Sequence, residues 1–239
     1  DWATRHCREG DDWIEGYWKS RDHPHRPFLI EKIIEFSPLN SILEVGCASG
    51  ANLYNLAKKL PRAEIRGIDI NPLAVQRGNE WLKNEGILNV KVEVGKAQEL
   101  KRFEDKSLDI VFTDAVLIYV SPDEIKQVLK EMLRIGRVLI INEWHTFNKR
   151  LAWVLNLYYC FRINLREHVF PRQQSKTFHC PLKPKPASLG LFVGHWARDY
   201  ETLLREFVPK EKIHITKLPK KLWNDKNWQR WGAIVEVTQ

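Results

Sequence analysis

The feature that most constrains this chain is a glycine-containing loop between two apolar runs, each of which ends close to an acidic residue. Residues 42–50 read Ile-Leu-Glu-Val-Gly-Cys-Ala-Ser-Gly, and Asp69 follows 19 positions after Gly50. Glycines between a buried strand and a helix let the backbone approach a ligand closely, and a carboxylate at the next strand tip can bind two ribose hydroxyls. The pattern predicts an α/β fold with a nucleotide pocket at these strand ends.

The residues of the loop favour one kind of nucleotide. Dinucleotide enzymes have G-x-G-x-x-G, whose second and third glycines admit the pyrophosphate, and Ala48 and Ala51 stand at those positions. Glu44 lies two residues before Gly46, where its charge would repel a diphosphate and attract a sulfonium or ammonium group. The loop therefore indicates S-adenosylmethionine as the ligand.

Residues 44–50 resemble the first motif, E/D-x-G-x-G-x-G, of the class I S-adenosylmethionine-dependent methyltransferases, with alanine at the middle glycine. The resemblance covers about the middle half of the chain. It continues through a third strand and its exit loop, a fourth strand, an amphipathic helix and a fifth strand, at residues 90–97, 103–114, 122–133 and 137–142. It implies S-adenosyl-L-methionine as cofactor, S-adenosyl-L-homocysteine as product and methyl transfer as the reaction.

The resemblance also implies which residues contact the cofactor. The matching positions are Glu44, Gly46, Cys47, Ala48, Gly50, Asp69, Ile70, Asn71, Ala97, Gln98, Thr113 and Asp114. Ala97 and Gln98 would contact the adenine, and Thr113 and Asp114 would flank the methionine end. Lys96 replaces the usual acid of the adenine loop, so we expect no side-chain bond from that position to the adenine amino group.

Shorter segments narrow the resemblance. Residues 112–122, 140–144 and 197–200, together with 50–53, resemble methylases associated with pseudaminic acid biosynthesis and their uncharacterised relatives. This likeness implies a small, carbohydrate-linked acceptor.

Strands that alternate with helices predict a Rossmann-like, doubly wound sheet. Residues 212–217 and 232–237 read as two further strands, which gives seven mostly parallel strands with an antiparallel last one, and 199–207 reads as the preceding helix. We expect one methyltransferase domain. Its parts are an N-terminal cap at 1–27, a cofactor-binding core at 28–144, an acceptor-side insertion at 145–194, and a C-terminal helix with strands at 195–239.

The two added segments carry most of the tryptophan. Nine of the ten tryptophans fall outside residues 28–143, and only Trp81 lies within. Tryptophan offers a flat apolar face to sugars and rings, which suggests an aromatic-lined acceptor pocket. Packing of the added segments onto the core is the simpler interpretation, and different tryptophans can serve each purpose.

Residues 151–163 are apolar on nearly every face of a helix, which predicts a buried lid or a dimer contact. Basic residues flank this segment, so peripheral membrane contact through 149–166 is the alternative. No apolar run reaches the roughly 20 residues that a membrane-spanning helix needs. The oligomeric state is left open. Four scattered cysteines and the lack of a signal-peptide pattern lead us to expect a cytoplasmic protein.

Candidate catalytic residues follow the fourth and fifth strands, where α/β sheets expose their functional ends. They are His145, Asp114 and Tyr119, with Glu143 beside them, and His145 is the preferred base because its ordinary pKa is near neutral. His23 and His25 are weaker candidates, since flexible segments near chain ends are usually merely exposed. The pair His179-Cys180 lacks partners at zinc spacing, so no metal site is expected.

The acceptor is only partly constrained. Residues 113–116 do not form the D/N-P-P-Y/F/W motif of amino-methylating enzymes, and there is no Pro-Cys dipeptide of the cytosine-C5 kind. A net charge of +8 keeps RNA open as an alternative acceptor, with a lysine cluster at Lys210, Lys212, Lys217, Lys220 and Lys221, although a solvated face is the favoured interpretation. We expect oxygen methylation of a sugar-like or aromatic small molecule. RNA or protein methylation and non-catalytic cofactor binding are the alternatives.

Overall fold

The computed structural model describes residues 12–147, 188–192 and 195–239. The strands within these residues are β1 (Ser41–Val45), β2 (Glu64–Asp69), β3 (Val90–Val94), β4 (Leu108–Asp114), β5 (Gly136–Trp144), β6 (Ser188–Phe192), β7 (His195–Arg198), β8 (Ile213–Lys217) and β9 (Gly232–Thr238). The α-helices are α1 (Trp13–Lys19), α2 (His25–Ile34), α3 (Ala51–Lys59), α4 (Pro72–Asn84), α5 (Ile125–Ile135), α6 (Tyr200–Leu204) and α7 (Lys226–Trp231).

Seven strands form one sheet in the order β3-β2-β1-β4-β5-β9-β8. β1 to β5 pair in parallel, and β9 is antiparallel to both of its neighbours. The predicted seven-stranded, mostly parallel sheet with an antiparallel last strand is confirmed. The chain leaves β3 at one edge and re-enters the sheet at β4, so the strand order reverses between β1 and β4.

Helices cover both faces of this sheet because successive residues of a buried strand point to opposite sides. Ile42 of β1 belongs to a core that includes residues of α2, α3, α4 and α7. The next residue, Leu43, belongs to a second core with residues of α5 and α6. The apolar runs of the parallel strands are therefore buried on two sides, as a doubly wound fold requires.

Several element boundaries differ from the sequence prediction. The helix predicted at 199–207 is shorter, Tyr200–Leu204, and the strand predicted at 137–142 is longer, Gly136–Trp144. Two other differences have a cause in the backbone. α5 begins at Ile125 rather than Pro122, because the N–H groups of Glu124 and Ile125 both bond to the carbonyl of Ser121 and close a tight turn before the helix. β4 begins at Leu108 rather than residue 103, because Lys106 has a φ of 53° and turns the chain.

The N-terminal cap packs onto the cofactor-binding core. Trp18 of α1 stacks on Trp81 of α4 and meets Tyr54 of α3 edge to face, each with ring centroids 5.5 Å apart. The hydroxyl of Ser49, in the loop after β1, donates to the carbonyl of Ile14. Trp18 and Trp81 thus serve packing, as the simpler interpretation of the tryptophans predicted.

Where the predicted insertion meets the C-terminal segment, the structure has a feature that the sequence did not predict. β6 and β7 pair as an antiparallel two-stranded sheet, with an irregularity between Gly190 and Phe192. The helix predicted at 151–163 and the membrane-contact segment at 149–166 lie outside the described residues. None of the helices in the described ranges is long and apolar enough to cross a membrane.

Candidate active site

The polar residues of the site meet where the strand order reverses. Glu44 of β1 and Asp114 of β4 lie toward the carboxyl ends of adjacent parallel strands. Ligands of open α/β sheets bind in the crevice outside these ends. The fold therefore places two buried carboxylates at the point where a nucleotide pocket is expected.

The loop after β1 depends on left-handed backbone. Gly46 and Gly50 have φ values of 79° and 83°, and Ala48, at the family's middle glycine, has a φ of 45°. A Cβ on Gly46 would lie 2.3 Å from a methyl carbon of Val116. The N–H groups of Gly46 and Cys47 both bond to the carbonyl of Ile68, so the loop is fixed against β2. Because the thiol of Cys47 is fully buried, its side chain is directed away from solvent.

Asp69 joins the loop to the end of β2. Its Oδ2 accepts the N–H of Ala48 and its Oδ1 accepts the N–H of Asn71, both at 2.8 Å. The Asn71 side chain accepts the N–H of Ala74 and caps α4. The structure therefore brings the first two predicted cofactor motifs together, and half-buried Ile70 lies between them.

A buried network joins Glu44 and Asp114 through one asparagine. The Asn52 amide donates to Glu44 Oε1 at 2.7 Å and to Asp114 Oδ2 at 3.0 Å. Its carbonyl oxygen accepts from the Arg26 guanidinium at 2.8 Å, and Arg26 also donates to Asp114 Oδ2 at 3.3 Å. Asn142 of β5 donates to the other oxygen of Asp114 at 2.8 Å. The network reaches from the N-terminal cap to three strands of the sheet.

The pKa values of the two carboxyl groups in this network are shifted in opposite directions. Burial raises the pKa of Glu44 to about 8, and the nearby Asp114 and Asp69 add to the rise. Burial alone would raise the pKa of Asp114 too, but His25, Arg26 and Asn52 outweigh it and hold that pKa well below its usual range. Asp114 is therefore the fixed negative charge of the site. Glu44 is fully buried, and its Oε2 has no hydrogen-bond partner within the described part of the chain.

Two histidines adjoin Asp114 from the N-terminal cap. His25 Nε2 lies 3.2 Å from Asp114 Oδ2, and His25 Nδ1 lies 2.6 Å from His23 Nδ1. The ring of His25 stacks on Trp223, with centroids 4.0 Å apart. The expectation that both histidines are exposed is wrong for His25, which is 4% exposed, because α2 begins at this residue and packs against the sheet end.

The preferred candidates for the base occupy different surroundings. His145 is 6% exposed, and its Nδ1 accepts the backbone N–H of Tyr200 at 3.4 Å. Glu143 accepts the N–H groups of Val116, Leu117 and Ile118. Burial raises the pKa of Glu143 to about 7. Tyr119 is 37% exposed, and its ring meets His195 at 4.8 Å.

The remaining predicted cofactor residues lie at the end of β4 and in the loop after β3. Thr113 is fully buried and precedes Asp114 on β4. Ala97 is half-buried in the loop after β3 and packs against the core beside α5. Gln98 is exposed, and its amide donates to Glu124 at 3.1 Å.

Arg26 was not predicted as a site residue from the sequence. Asn52 was noted only as part of residues 50–53, one of the segments that carry the family resemblance. The two side chains touch although 26 positions separate them. The available signal for Asn52 was a polar residue in the first turn of a helix whose neighbours are apolar. Arg26 carried no such signal, because basic residues are common in the cap.

Residues 42–137 match the model of a family described as a methyltransferase domain. The seven-stranded sheet that contains these residues has the class I methyltransferase fold. Class I methyltransferases use S-adenosylmethionine as methyl donor, which confirms the cofactor predicted from the loop and Glu44. The matched residues include the loop, Asp69 and Asp114.

The chain is similar to named methyltransferases over part of its length. Over 118 residues it is 30% identical to a protein-L-isoaspartate O-methyltransferase of Pyrococcus horikoshii. This alignment covers 49% of this chain and 50% of the relative. Over 115 residues it is 35% identical to a ribosomal protein L11 methyltransferase of Dictyoglomus thermophilum. This alignment covers 47% of this chain and 36% of the relative. The chain thus spans about half of the first relative and about a third of the second.

The fold extends beyond the segment matched in sequence. The solved methyltransferase domain of bacterial CtHen1-CN aligns with 92% of this chain and 100% of its own, with a TM-score of 0.57 and 12% identity. At this identity the likeness concerns the fold alone.

Proposed function

We propose that this protein transfers the methyl group of S-adenosylmethionine to an oxygen atom of a small, ring-bearing acceptor. The observation that carries the proposal is the buried network of Glu44, Asn52 and Asp114, which lies beside the glycine loop and meets a row of aromatic rings through His25. Cofactor residues and acceptor-side residues are therefore in direct contact.

The residues present fit the cofactor. Glu44 keeps an unpartnered, fully buried oxygen among the described residues, which suits a ligand with ammonium and sulfonium charges. Gly46 and Gly50 allow the left-handed turns that form the loop beside Glu44, and Asp69 lies where it can exchange backbone partners for ribose hydroxyls. When bound, S-adenosylmethionine supplies an electrophilic methyl group. The chain must position the acceptor, exclude water and accept a proton.

A chain of ring contacts supports a ring-bearing acceptor. The contacts run from His25 to Trp223 (4.0 Å), Trp223 to Trp228 (4.5 Å), Trp228 to Trp144 (6.1 Å), Trp144 to His195 (5.9 Å) and His195 to Tyr119 (4.8 Å). Flat apolar faces with polar edges stack on sugars and aromatic rings. Trp223 and Tyr119 are not fully buried, so part of this wall faces solvent. One similar protein is named as an O-methyltransferase, which agrees with an oxygen acceptor.

The first test is calorimetric titration with S-adenosylmethionine and S-adenosylhomocysteine, with NAD as the negative control. We expect both sulfur compounds to bind and NAD not to bind, because Ala48 and Ala51 stand where dinucleotide enzymes have the glycines that admit the pyrophosphate. Tritium transfer from labelled cofactor to phenol and pyranoside acceptors then tests the reaction. Binding without transfer to any acceptor would favour a non-catalytic cofactor-binding protein, and absence of binding would reject the pocket.

A matched pair of variants tests the ribose assignment. Asp69→Ala should weaken cofactor binding by about 1–3 kcal/mol, the usual cost of leaving polar partners unpaired. Asp105→Ala is the control, since Asp105 is exposed and pairs with Arg134. Equal affinities for the two variants would contradict the role of Asp69.

RNA methylation is the second candidate because of where the lysine cluster lies. All five of its lysines are exposed, and Lys220 and Lys221 immediately precede the segment that places Trp223 on His25. A basic surface beside an aromatic face is how proteins bind single-stranded nucleic acid. The charge-reversal experiment in the Discussion separates this candidate from the small-molecule proposal.

A further inference from the structure

We propose that Asp114, His25 and His23 form a proton relay in which Nε2 of His23 is the general base for the acceptor hydroxyl. The inference rests on the proposed methyl-transfer function and deepens it. On this proposal His23 of the N-terminal cap, rather than His145, removes the proton of the acceptor.

The geometry is that of a base held by an orienting group, which is in turn held by a carboxylate. His25 Nε2 lies 3.2 Å from Asp114 Oδ2, and His25 Nδ1 lies 2.6 Å from His23 Nδ1. Both nitrogens of His25 are therefore engaged, whereas His23 uses only Nδ1 in the contacts of the described residues. His23 is half-buried, and none of its hydrogen bonds within the described residues uses Nε2, the nitrogen that we assign to the acceptor.

The charge of Asp114 dictates the direction of the relay. Because its pKa is held low, Asp114 accepts hydrogen bonds and donates none. His25 must then carry its hydrogen on Nε2, which leaves a lone pair on Nδ1 when the ring is neutral. That lone pair accepts Nδ1–H of His23. The Nε2 of His23 is consequently unprotonated and basic.

The proton and the electron pairs can be followed through the transfer. As the hydroxyl oxygen bonds to the methyl carbon, the carbon–sulfur bond breaks and its electron pair stays on sulfur as a neutral thioether. The hydroxyl proton passes to Nε2 of His23, and the Nδ1 proton of His23 passes to Nδ1 of His25. His25 becomes an imidazolium beside the Asp114 carboxylate.

The structure also accommodates the state in which the two histidines hold the acceptor proton. In that state His23 Nδ1 accepts from His25 Nδ1–H, and the backbone N–H of His25 lies 3.5 Å from the same nitrogen. The Nδ1–Nδ1 hydrogen bond of the pair is therefore kept in both protonation states, and the His25 backbone N–H gains His23 Nδ1 as an acceptor only when His25 is protonated. Trp223 contacts both rings, at 4.9 Å from His23 and 4.0 Å from His25, and holds them in place.

The surroundings of His23 favour its neutral form. Burial lowers the pKa of His23, and the nearby His25 and Arg26 lower it further, against an opposing effect of Asp114. These are the charged and titratable groups that face the ring, and the segment after β8 contributes the uncharged Trp223. A base that is neutral at neutral pH is ready to accept a proton.

The competing candidates are less suited to this role. Nδ1 of His145 accepts a backbone N–H from α6, and Glu143 already accepts three N–H groups of the turn after β4. Neither residue is joined to Asp114 by a contact of the described residues, so neither is oriented by the fixed charge of the site.

The first test reads the tautomers in the full-length protein. Long-range proton–nitrogen correlation spectra of ¹⁵N-labelled protein, assigned with His23→Gln and His25→Gln, locate each imidazole proton. We expect His25 protonated on Nε2 and His23 protonated on Nδ1 in the neutral state. The opposite tautomer of either ring would overturn the relay.

The second test measures transfer to catechol and to 4-nitrocatechol, whose hydroxyl ionises more readily. His23→Gln and His25→Gln should lower the turnover of catechol by about 10²–10⁴-fold, the usual contribution of a general base, while cofactor affinity is unchanged. The loss should be smaller for 4-nitrocatechol, because an ionised acceptor needs no base. His214→Gln, an exposed histidine on β8, is the matched control and should behave as the wild type.

The outcomes separate the two hypotheses. A wild-type protein that binds no cofactor, or methylates none of the acceptors, contradicts the proposed function itself. An active wild type with unimpaired His23→Gln contradicts the relay alone. Equal losses on both catechols would assign His23 a structural role and overturn its assignment as the base.

Discussion

At the scale of single residues, Gly46 and Ala48 show how the same backbone region tolerates different side chains. Both have positive φ, 79° and 45°, but a Cβ at 46 would lie 2.3 Å from Val116. We expect Gly46→Ala to destabilise the fold by about 2–5 kcal/mol, because left-handed strain and overpacking add. Ala48→Gly should change stability by less than about 1 kcal/mol, since relief of strain is offset by chain entropy.

Thermal unfolding of the two variants checks this prediction. Gly46→Ala should melt well below the wild type, and Ala48→Gly should melt close to it. If Gly46→Ala matched the wild type, the close packing of Val116 against the loop would be wrong.

Glu44 leads to a second prediction at this scale, about protons. Its pKa of about 8 in the free protein means that most molecules carry a neutral Glu44 at pH 7. A cationic ligand favours the carboxylate, so binding of S-adenosylmethionine at pH 7 should release protons, and the release should fade above pH 8. Calorimetry at pH 7 in phosphate and in Tris measures the release, because the two buffers take up protons with different heats.

The matched control is Glu44→Gln, which keeps an oxygen to accept from Asn52 but cannot ionise. The buffer dependence of the binding heat should fall in this variant by the contribution of Glu44. An unchanged dependence would show that Glu44 stays neutral when the cofactor binds.

At the scale of elements, the turn after β4 depends on two residues from elsewhere in the chain. Glu143 of β5 accepts the N–H groups of Val116, Leu117 and Ile118, and Arg198 of β7 donates to the carbonyl groups of Leu117 and Val120. These contacts hold the short helical turn Leu117–Tyr119 at the end of β4. The added β6–β7 sheet is therefore connected to the site through the turn that carries Tyr119.

We expect Glu143→Ala to destabilise the protein by about 2 kcal/mol or more, because three N–H groups, two of them buried, lose their acceptor and each unsatisfied buried group costs about 1–3 kcal/mol. Denaturant unfolding gives the free energy. Glu236→Ala is the control, since Glu236 is on β9 and is only partly buried. A loss for Glu143→Ala no larger than that of the control would contradict the capping role.

The parallel strands could be predicted from the sequence, whereas the side-chain network of the site and the strands β6 and β7 could not. The parallel strands could be predicted because apolar runs alternate with amphipathic helices and end at Glu44, Asp69 and Asp114. The contact of Arg26 with Asp114 joins residues 88 positions apart, and no local pattern encodes it. β6 and β7 are five and four residues long, too short for a periodicity to distinguish them.

At the scale of the whole molecule, the net charge of +8 includes a basic region next to the aromatic wall. Lys217 ends β8, and Lys220 and Lys221 lie in the turn before Trp223. Nζ of Lys217 lies 5.6 Å from the ring centre of Phe147, which is 45% exposed. This surface is the feature that can distinguish a small acceptor from an RNA acceptor.

The deciding experiment compares two triple charge reversals with equal net charge. One replaces Lys217, Lys220 and Lys221 by glutamate, and the control replaces the exposed Lys83, Lys91 and Lys130 on α4, β3 and α5. If the basic region binds phosphates, the first variant should lower the salt dependence of single-stranded RNA binding by about two units of log–log slope, since each phosphate contact contributes about 0.7. The control should change this slope less, because its lysines are scattered.

Methyl transfer then separates binding from function. On the small-molecule proposal, neither variant alters the affinity for S-adenosylmethionine, and the wild type transfers no labelled methyl group to the RNA. Transfer to RNA by the wild type and the control, lost only when Lys217, Lys220 and Lys221 are reversed, would make RNA the acceptor. The Trp223 wall would then stack bases rather than a sugar or a phenol, because the same flat faces accept either.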